Sequence, residues 1–319
     1  MVDIRKIRFF VSVYEAGSIT RAAEREHIAQ PALTVHIQQI EDEFQVKLFE
    51  RSAQGMNPTP AGRHFYRICQ DLLQRLASVN EEMQAFGGDV AGSVAAGIMP
   101  SICHGPLAPV LARYTEAYPN VAVRIVEGLS GTLADWVMSD AVDFAICSRP
   151  ATTSDLSLRL LVTDRLVLVS ARSSARTPFA PSRLRDIADL KLVLPSPNHF
   201  LRHTLDHHID RGDFHPVSTL EIDGQSATLQ FVAQSDWSTI LPTIALINEF
   251  ESTRFTINPI DDPALSTEIY ELRSPRRTLS VASQRFVAML EAQLRTIPAL
   301  PSTDDANPVT ALHGHRRTQ

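Results

Sequence analysis

The sequence predicts a chain of two unlike parts. The first is an all-α head with a short β wing, ending in one long linker helix. The second is a C-terminal α/β domain of two lobes. Three observations carry this. Residues 18–44 read as two helices with a tight turn between them. Residues 59–86 hold an apolar repeat of four and three. From Val90 onward, short apolar runs alternate with helical segments, the pattern of βαβ units.

The first helix spans about residues 3–16 and places Ile4, Ile7, Phe10, Val11 and Tyr14 on one stripe, suited to covering the back of the helix pair. Gly17-Ser18 is a stop followed by a start: Gly suits the end of a helix and Ser caps the next. A further helix opens at Gln30-Pro31, with Pro where the first turn tolerates it. On a wheel of about 100° per residue, Leu33, Ile37, Ile40 and Phe44 share one face, and Pro31, Thr34, Val35, Gln38 and Asp42 lie opposite. A short-side-chain, mostly polar edge suits entry into a DNA major groove, where amides and hydroxyls meet base edges and a methyl meets thymine. The plain alternative is an amphipathic helix with a solvated face. Val46 to Ser52 and the turn Ala53 to Asn57 read as the wing, with Arg51 placed to meet a phosphate or to stay a solvated charge.

Thr59-Pro60 marks the next helix start, a cap followed by Pro. The helix runs to about Phe86 and stops at Gly87-Gly88, a length of about 40 Å. Phe65, Cys69, Leu72, Leu76, Val79, Met83 and Phe86 recur as a coiled-coil seam. A seam of that length needs burial, either against the same helix of a second subunit or on its own chain.

Beyond Val90 the expected order is strand 93–99, helix 105–117, strand 121–127, helix 132–139 and strand 143–147. A second set follows: strands 165–171 and 191–194, helix 200–210, strand 219–223, helix 225–234, strand 238–241, helix 243–250 and strand 255–258. A strand 268–273 and a helix 279–296 close the domain. The alternation implies parallel sheets, and two consecutive α/β units imply two lobes with a cleft between them. The tail, 298–319, lacks periodicity and reads as disordered.

Composition bounds the function. The chain has 319 residues and a net charge of −6. Within the first 63 residues, Arg5, Lys6, Arg8, Arg21, Arg25, Lys47, Arg51 and Arg63 are offset by Asp3, Glu15, Glu24, Glu26, Glu41, Asp42, Glu43 and Glu50. DNA affinity must then come from local arrangement, two copies, and backbone N–H groups at helix starts. Three cysteines, Cys69, Cys103 and Cys147, form no disulfide framework, and the first residues hold no apolar signal core. A cytoplasmic, membrane-free protein is the expectation. No Gly-x-Ser-x-Gly elbow and no phosphate-cradling glycine loop appear, so an α/β enzyme has no visible catalytic centre, and a solute receptor lacks its signal segment.

The wording of the head goes further. Gly17-Ser18-Ile19-Thr20-Arg21-Ala22-Ala23-Glu24, then Gln30-Pro31-Ala32-Leu33-Thr34, Ile40-Glu41 and Leu48-Phe49-Glu50-Arg51 resemble the winged helix-turn-helix of the LysR-type transcriptional regulators. The match covers about the first 65 residues. It departs where Ala29 replaces a usual Ser and where Val35-His36 replaces a common Arg-Gln. The segments 117–121, 126–128 and 143–146 match the family's first lobe, while the second lobe matches loosely, with Gln234-Ser235-Asp236-Trp237 replacing a Gly-rich turn.

The resemblance implies a winged helix-turn-helix at 1–58, a dimerisation linker helix at 59–87, and a periplasmic-binding-protein-like effector domain at 88–297. In it, lobe I takes about 90–162 and 268–297, and lobe II about 163–267. It implies a homodimer through Phe65, Cys69, Leu72, Leu76, Val79 and Met83. It also implies a tetramer of two dimers, a double-stranded operator, a small-molecule effector, and frequent activation through RNA polymerase. The residues assigned to DNA are Ser18, Thr20, Arg21, Gln30, Pro31, Thr34, Val35, Gln38, Arg51 and Thr59.

Ligands of open parallel sheets bind beyond the carboxyl ends of strands, here near Ser101, His104, Ser130, Thr132, Ser148, Asn198, Phe200 and Arg202. Ser101, Ser130, Ser148 and Phe200 match cleft positions of the family. Hydroxyls and free N–H groups at helix starts favour an anion such as an organic acid, though each hydroxyl is equally suited to plain capping. Leu129, Phe200 and Ile240 suggest a partly apolar ligand. No cofactor or metal is expected: His199, His203, His207 and His208 share a helix without a clear completing carboxylate. Cys103 and Cys147 read as small buried hydrophobes more readily than as a thiol sensor.

Overall fold

The computed structural model describes residues 2–52, 55–86, 90–151, 155–250, 252–262, 264–275 and 277–297. The expected tail at 298–319, the tip of the wing turn at 53–54 and the helix stop at 87–88 lie outside them. The chain forms two compact units, one from Met1 to Gly87 and one taken up from Gly88.

In the first unit, α1 (Ile4–Ala16) begins where the Asp3 side chain accepts the Lys6 N–H at 2.9 Å. It ends at Gly17, whose φ of 59° is a left-handed cap that costs glycine little. α2 (Ile19–Arg25) and α3 (Gln30–Phe44) follow, then the antiparallel wing β1 (Phe49–Ser52) and β2 (Gly55–Pro58), and α4 (Pro60–Phe86). The single stripe expected on α1 is corrected. Phe9, Phe10 and Val13 are buried and Ile4 is exposed. The reason is that α1 packs against α2, α3 and α4 together, so its buried arc is wider than one seam. Phe10 sits at the centre, edge-on to Phe65 at 4.7 Å and tilted on Phe49 at 5.2 Å.

The second unit runs β3 (Gly92–Ile98), α5 (Pro100–Cys103), α6 (Leu107–Ala117), β4 (Val121–Glu127), α7 (Ser130–Met138), β5 (Phe144–Ser148) and β6 (Ser157–Ala171). It continues β7 (Ser182–Arg183), β8 (Lys191–Leu194), α8 (Phe200–Asp210), β9 (Ser218–Glu221), α9 (Gln225–Ala233), β10 (Ser238–Pro242), β11 (Phe255–Asp262), β12 (Ser266–Arg273) and α10 (Val281–Arg295). β4, β3 and β5 are parallel neighbours, and so are β9, β8 and β10. The remaining pairings are antiparallel except that of β7 with β11, so the sheets are mixed rather than purely parallel.

The cause is β6. Its first part, Ser157–Arg165, pairs with β12 in the first lobe's sheet. Its second part, Leu166–Ala171, lies between β10 and β11 in the second lobe's sheet. One strand therefore passes through both lobes, and the chain returns between Asp262 and Ser266. The second part, Leu-Val-Leu-Val-Ser-Ala, is buried throughout, as a strand covered on both faces must be. The crossing falls at Arg165–Leu166, a few residues after the 162 implied by resemblance, and the return falls before 268. Strand 157–164 was not anticipated. The helix expected at 243–250 is a single 3-10 turn, Thr243–Leu246.

Candidate functional site

The outer edge of α3 is built from the inside out. Leu33, Ile37 and Ile40 are buried against the head's core, which leaves Gln30, Pro31, Val35 and Gln38 exposed and Thr34 half-buried. The Thr34 hydroxyl donates to the Gln30 carbonyl at 3.0 Å, so its proton is spent within the helix. His36 turns inward, its ring 5.1 Å from that of Phe9. Ala29, at the cap of α3, supplies no side-chain acceptor, whereas Ser18 caps α2 by accepting the Arg21 N–H at 3.5 Å. Arg21 donates its guanidinium to the Ala16 carbonyl, and Thr20 is exposed at the start of α2. The Arg51 side chain lies outside the described residues.

Thr59 does not belong to this edge. It is buried, its hydroxyl donates to the Lys47 carbonyl at 2.7 Å, and it accepts the Gly62 N–H at 2.9 Å. It caps α4 and ties that helix to the wing. Glu41, which the sequence offers as one charge of the head's balance and as part of the Ile40-Glu41 motif, is 8% exposed and accepts the Leu48 and Phe49 N–H groups at 2.8 and 3.2 Å and Lys47 Nζ at 2.6 Å. Its place on the wheel, beside the apolar face, was the available signal. Of the head's cations, Arg25 is likewise paired, with Glu15.

On α4 the apolar seam divides. Cys69 is buried and Phe65 packs edge-on to Phe10 and Phe44, so these two belong to the head's own core and are corrected as dimer contacts. Their position beside α1 and the end of α3 is the reason. Leu72, Val79 and Met83 stand 43, 54 and 65% exposed, Leu76 is half-buried, and Ile68, absent from the expected seam, is exposed beside them.

In the second unit a cleft of about 700 Å³, including its mouth, opens where the two lobes meet across β6. The first lobe contributes Met99, Pro100, Ser101, Ser148 and Thr267. The second contributes Leu194, His199, Phe200, Ile222, Asp223, Gln225, Thr228 and Ile240. Ser101 is 6% exposed and its Oγ has no hydrogen-bond partner. Ser148 Oγ and Thr267 Oγ1 lie 3.4 Å apart, both buried. His199 caps α8, its Nδ1 accepting the Leu201 N–H at 3.2 Å, and burial lowers its pKa. Asp223 is held below the usual carboxylate range by the Ser196 N–H it accepts at 2.7 Å. Among the described residues, no arginine or lysine lines the cleft.

The structure thus brings Ser101, Ser148 and Phe200 together and leaves the other expected effector residues outside the lining. His104 and Thr132 are exposed, and the His104 ring nitrogen pairs with the Pro100 carbonyl at 2.9 Å. Asn198 is exposed too. Arg202 is engaged by Asp206 at 2.8 Å and by the Pro195 carbonyl at 3.0 Å. Ser130 lies against Cys147, whose thiol burial pushes up to about 12. Cys103 is pushed up to about 12 as well, so neither is a thiolate at neutral pH. Thr267, Asp223 and Gln225 are not among the residues the sequence points to, whereas His199 lies within the strand-end run 196–202 that it does. Strand-end reasoning finds helix starts, but Thr267 comes from a strand far along the chain. Among the described residues no group of three His, Cys, Asp or Glu gathers to hold a metal, and no helix is long and apolar enough to cross a membrane.

Two family models match the chain. One, described as the bacterial regulatory helix-turn-helix protein of the lysR family, covers residues 4–63; the other, described as the LysR substrate binding domain, covers 87–295. The nitrogen assimilation regulatory protein nac of Klebsiella aerogenes is 24% identical over 284 residues, 89% of this chain and 92% of its own. The HTH-type transcriptional regulator BenM of Acinetobacter baylyi is 26% identical over 285 residues, 84% of this chain and 89% of its own. Two solved structures share the fold. A full-length OxyR variant from Pseudomonas aeruginosa has a TM-score of 0.63 at 20% identity, covering 93% of this chain and 96% of its own. Full-length CbnR in complex with its target DNA has a TM-score of 0.53 at 19% identity, covering 92% and 99%.

Proposed function

The chain belongs to the LysR family, and from that premise we propose that occupancy of the inter-lobe cleft by a small, partly apolar organic acid controls how two copies of the head sit on an operator. It is a DNA-binding transcriptional regulator with a helix-turn-helix head and an effector-binding domain. The observation that carries the effector reading is Ser101: a buried hydroxyl with no partner in the protein is costly unless something completes it. A carboxylate oxygen at that point accepts its proton, with Ser148 and Thr267 beside it. Phe200, Leu194 and Ile240 cover an apolar body. With no arginine or lysine among the described lining residues, and the Asp223 carboxylate on the second-lobe wall, the acid is held by the Ser101, Ser148 and Thr267 hydroxyls of the first-lobe wall rather than by an ion pair.

Because the cleft walls belong to two lobes joined by β6, a ligand touching both favours one lobe arrangement over another, and that difference is all that a switch requires. The exposed run of Ile68, Leu72, Val79 and Met83 on α4 supports pairing with a second copy. Tetramer formation and contact with RNA polymerase extend the same reading. The test has two arms on the full-length protein. Melting is followed with small aliphatic and aromatic carboxylic acids, and footprinting is run on the DNA flanking its own gene. A stabilising acid that also alters the footprint supports the reading. A protected site that no acid changes sinks the effector class and leaves the regulator.

A further inference from the structure

The edge of α3 that faces away from the head carries a peculiarity of composition. Between Gln30 and Phe44 there is no arginine or lysine, and the one imidazole, His36, is turned inward onto Phe9. The donor that most often reads guanine, a forked or pointed cation, is therefore missing from the helix. The Thr34 hydroxyl proton is committed to Gln30, which leaves its methyl and its lone pairs. Within this arc Val35 is 52% exposed, flanked at helical spacing by Pro31 and Gln38.

We propose that Val35 sets the sequence preference of α3 by packing its methyls on the C5 methyl of a thymine, while the Gln38 amide reads an adenine edge one helical turn along. The inference rests on the DNA-reading role of the head and adds which base chemistry it reads. Thymine is the base that offers an apolar group in the major groove, and adenine offers the N7 acceptor and N6 donor that a carboxamide matches. A valine that water covers in the free protein gains from that contact what burial of one methyl gives, about a four-fold change in affinity per half-site. Asp42, further along the same edge, opposes approach of the backbone and favours the helix's N-terminal half as the reading end.

The test uses the purified full chain and duplexes selected by it from a random pool. Each thymine of the selected site is replaced in turn by deoxyuridine, which removes only the C5 methyl. The expected result is one thymine per half-site at which the replacement weakens binding about four-fold, with no such loss for Val35→Ala. Val35 is exposed, so the alanine variant keeps its fold, checked by melting. Insensitivity to deoxyuridine at every thymine, a loss that persists in Val35→Ala, or selection of an invariant guanine contact would each overturn the assignment. Failure to enrich any sequence would overturn the DNA-reading role itself, a separate and recognisable outcome.

Discussion

The Asp164 carboxylate accepts the backbone N–H of Ile244 at 2.8 Å, and that bond is made one residue before β6 leaves the first lobe's sheet for the second. The neighbouring Thr243 hydroxyl donates to the Arg165 carbonyl at 2.9 Å. Gly105, from the first lobe, lies so close to Ile244 that a Cβ there would come within 2.3 Å of its carbonyl oxygen. The hinge is thus a polar knot around one acid. Burial raises the Asp164 pKa to about 6, outweighing the hydrogen bonds that lower it.

The pH consequence follows from the sign of that shift. The folded state holds the Asp164 proton more tightly than the unfolded chain, whose value is 3.8. Between about pH 4 and 6 folding therefore takes up a proton, and this group's contribution falls as pH rises through that window and is level above it. Asp164→Asn keeps an acceptor for Ile244 but cannot titrate. The unfolding free energies of the two proteins, read from urea titrations, should shift relative to each other by at most about 3 kcal/mol between pH 4 and pH 7, with Asn relatively better at pH 7. Parallel profiles would show that Asp164 does not titrate in this window.

Glu41 makes a different prediction. Its carboxylate is the acceptor for two wing N–H groups and the Lys47 ammonium. Glu41→Ala leaves buried donors unmatched at the start of β1, a loss of about 2–4 kcal/mol from the head. Glu41→Gln, whose amide oxygen serves the N–H groups, costs less. Thermal denaturation of both variants checks the order; equal and small losses would mean that solvent replaces the side chain.

What was legible in the sequence was local. Ser18, Thr59-Pro60 and the run Phe200–Asp210 mark helix boundaries because capping chemistry acts within a few residues. What stayed hidden depends on distant partners. Leu166 pairs with Pro242, and Val167 with Pro259, so no window of sequence reveals β6 as one strand through two lobes. The apolar pattern of 243–250 suits a helix, but Asp164 and Gly105 engage the backbone of Ile244, and a 3-10 turn results. In the cleft, Ser148 was readable as a strand end, whereas Thr267 meets it only because β12 returns beside β5.

The division of the α4 seam separates two sets of residues by experiment. Leu72→Asp with Val79→Asp places charges on the exposed part and should abolish the proposed self-association through α4 in sedimentation while the head's melting is unchanged. Cys69→Asp, buried among α1 and Phe65's neighbours, should instead unfold the head, at a cost of several kcal/mol. A dimer that survives the double substitution would place the self-association surface elsewhere.

Ser101 offers a test in which stability and binding move in opposite directions. In the free protein its hydroxyl is buried with no partner, so Ser101→Ala removes an unsatisfied buried group and breaks no hydrogen bond of the fold. The melting temperature of the free chain should hold or rise. The same change removes the donor offered to an effector carboxylate, a charge-assisted bond worth about 1.5–3 kcal/mol, or roughly ten- to a hundred-fold in affinity. Melting without ligand and titration with a stabilising acid, done on the same two proteins, read both signs. A variant that loses free-chain stability would show that Ser101 holds the fold through a bridging water. One that binds the acid as tightly as wild type would remove Ser101 from the effector site.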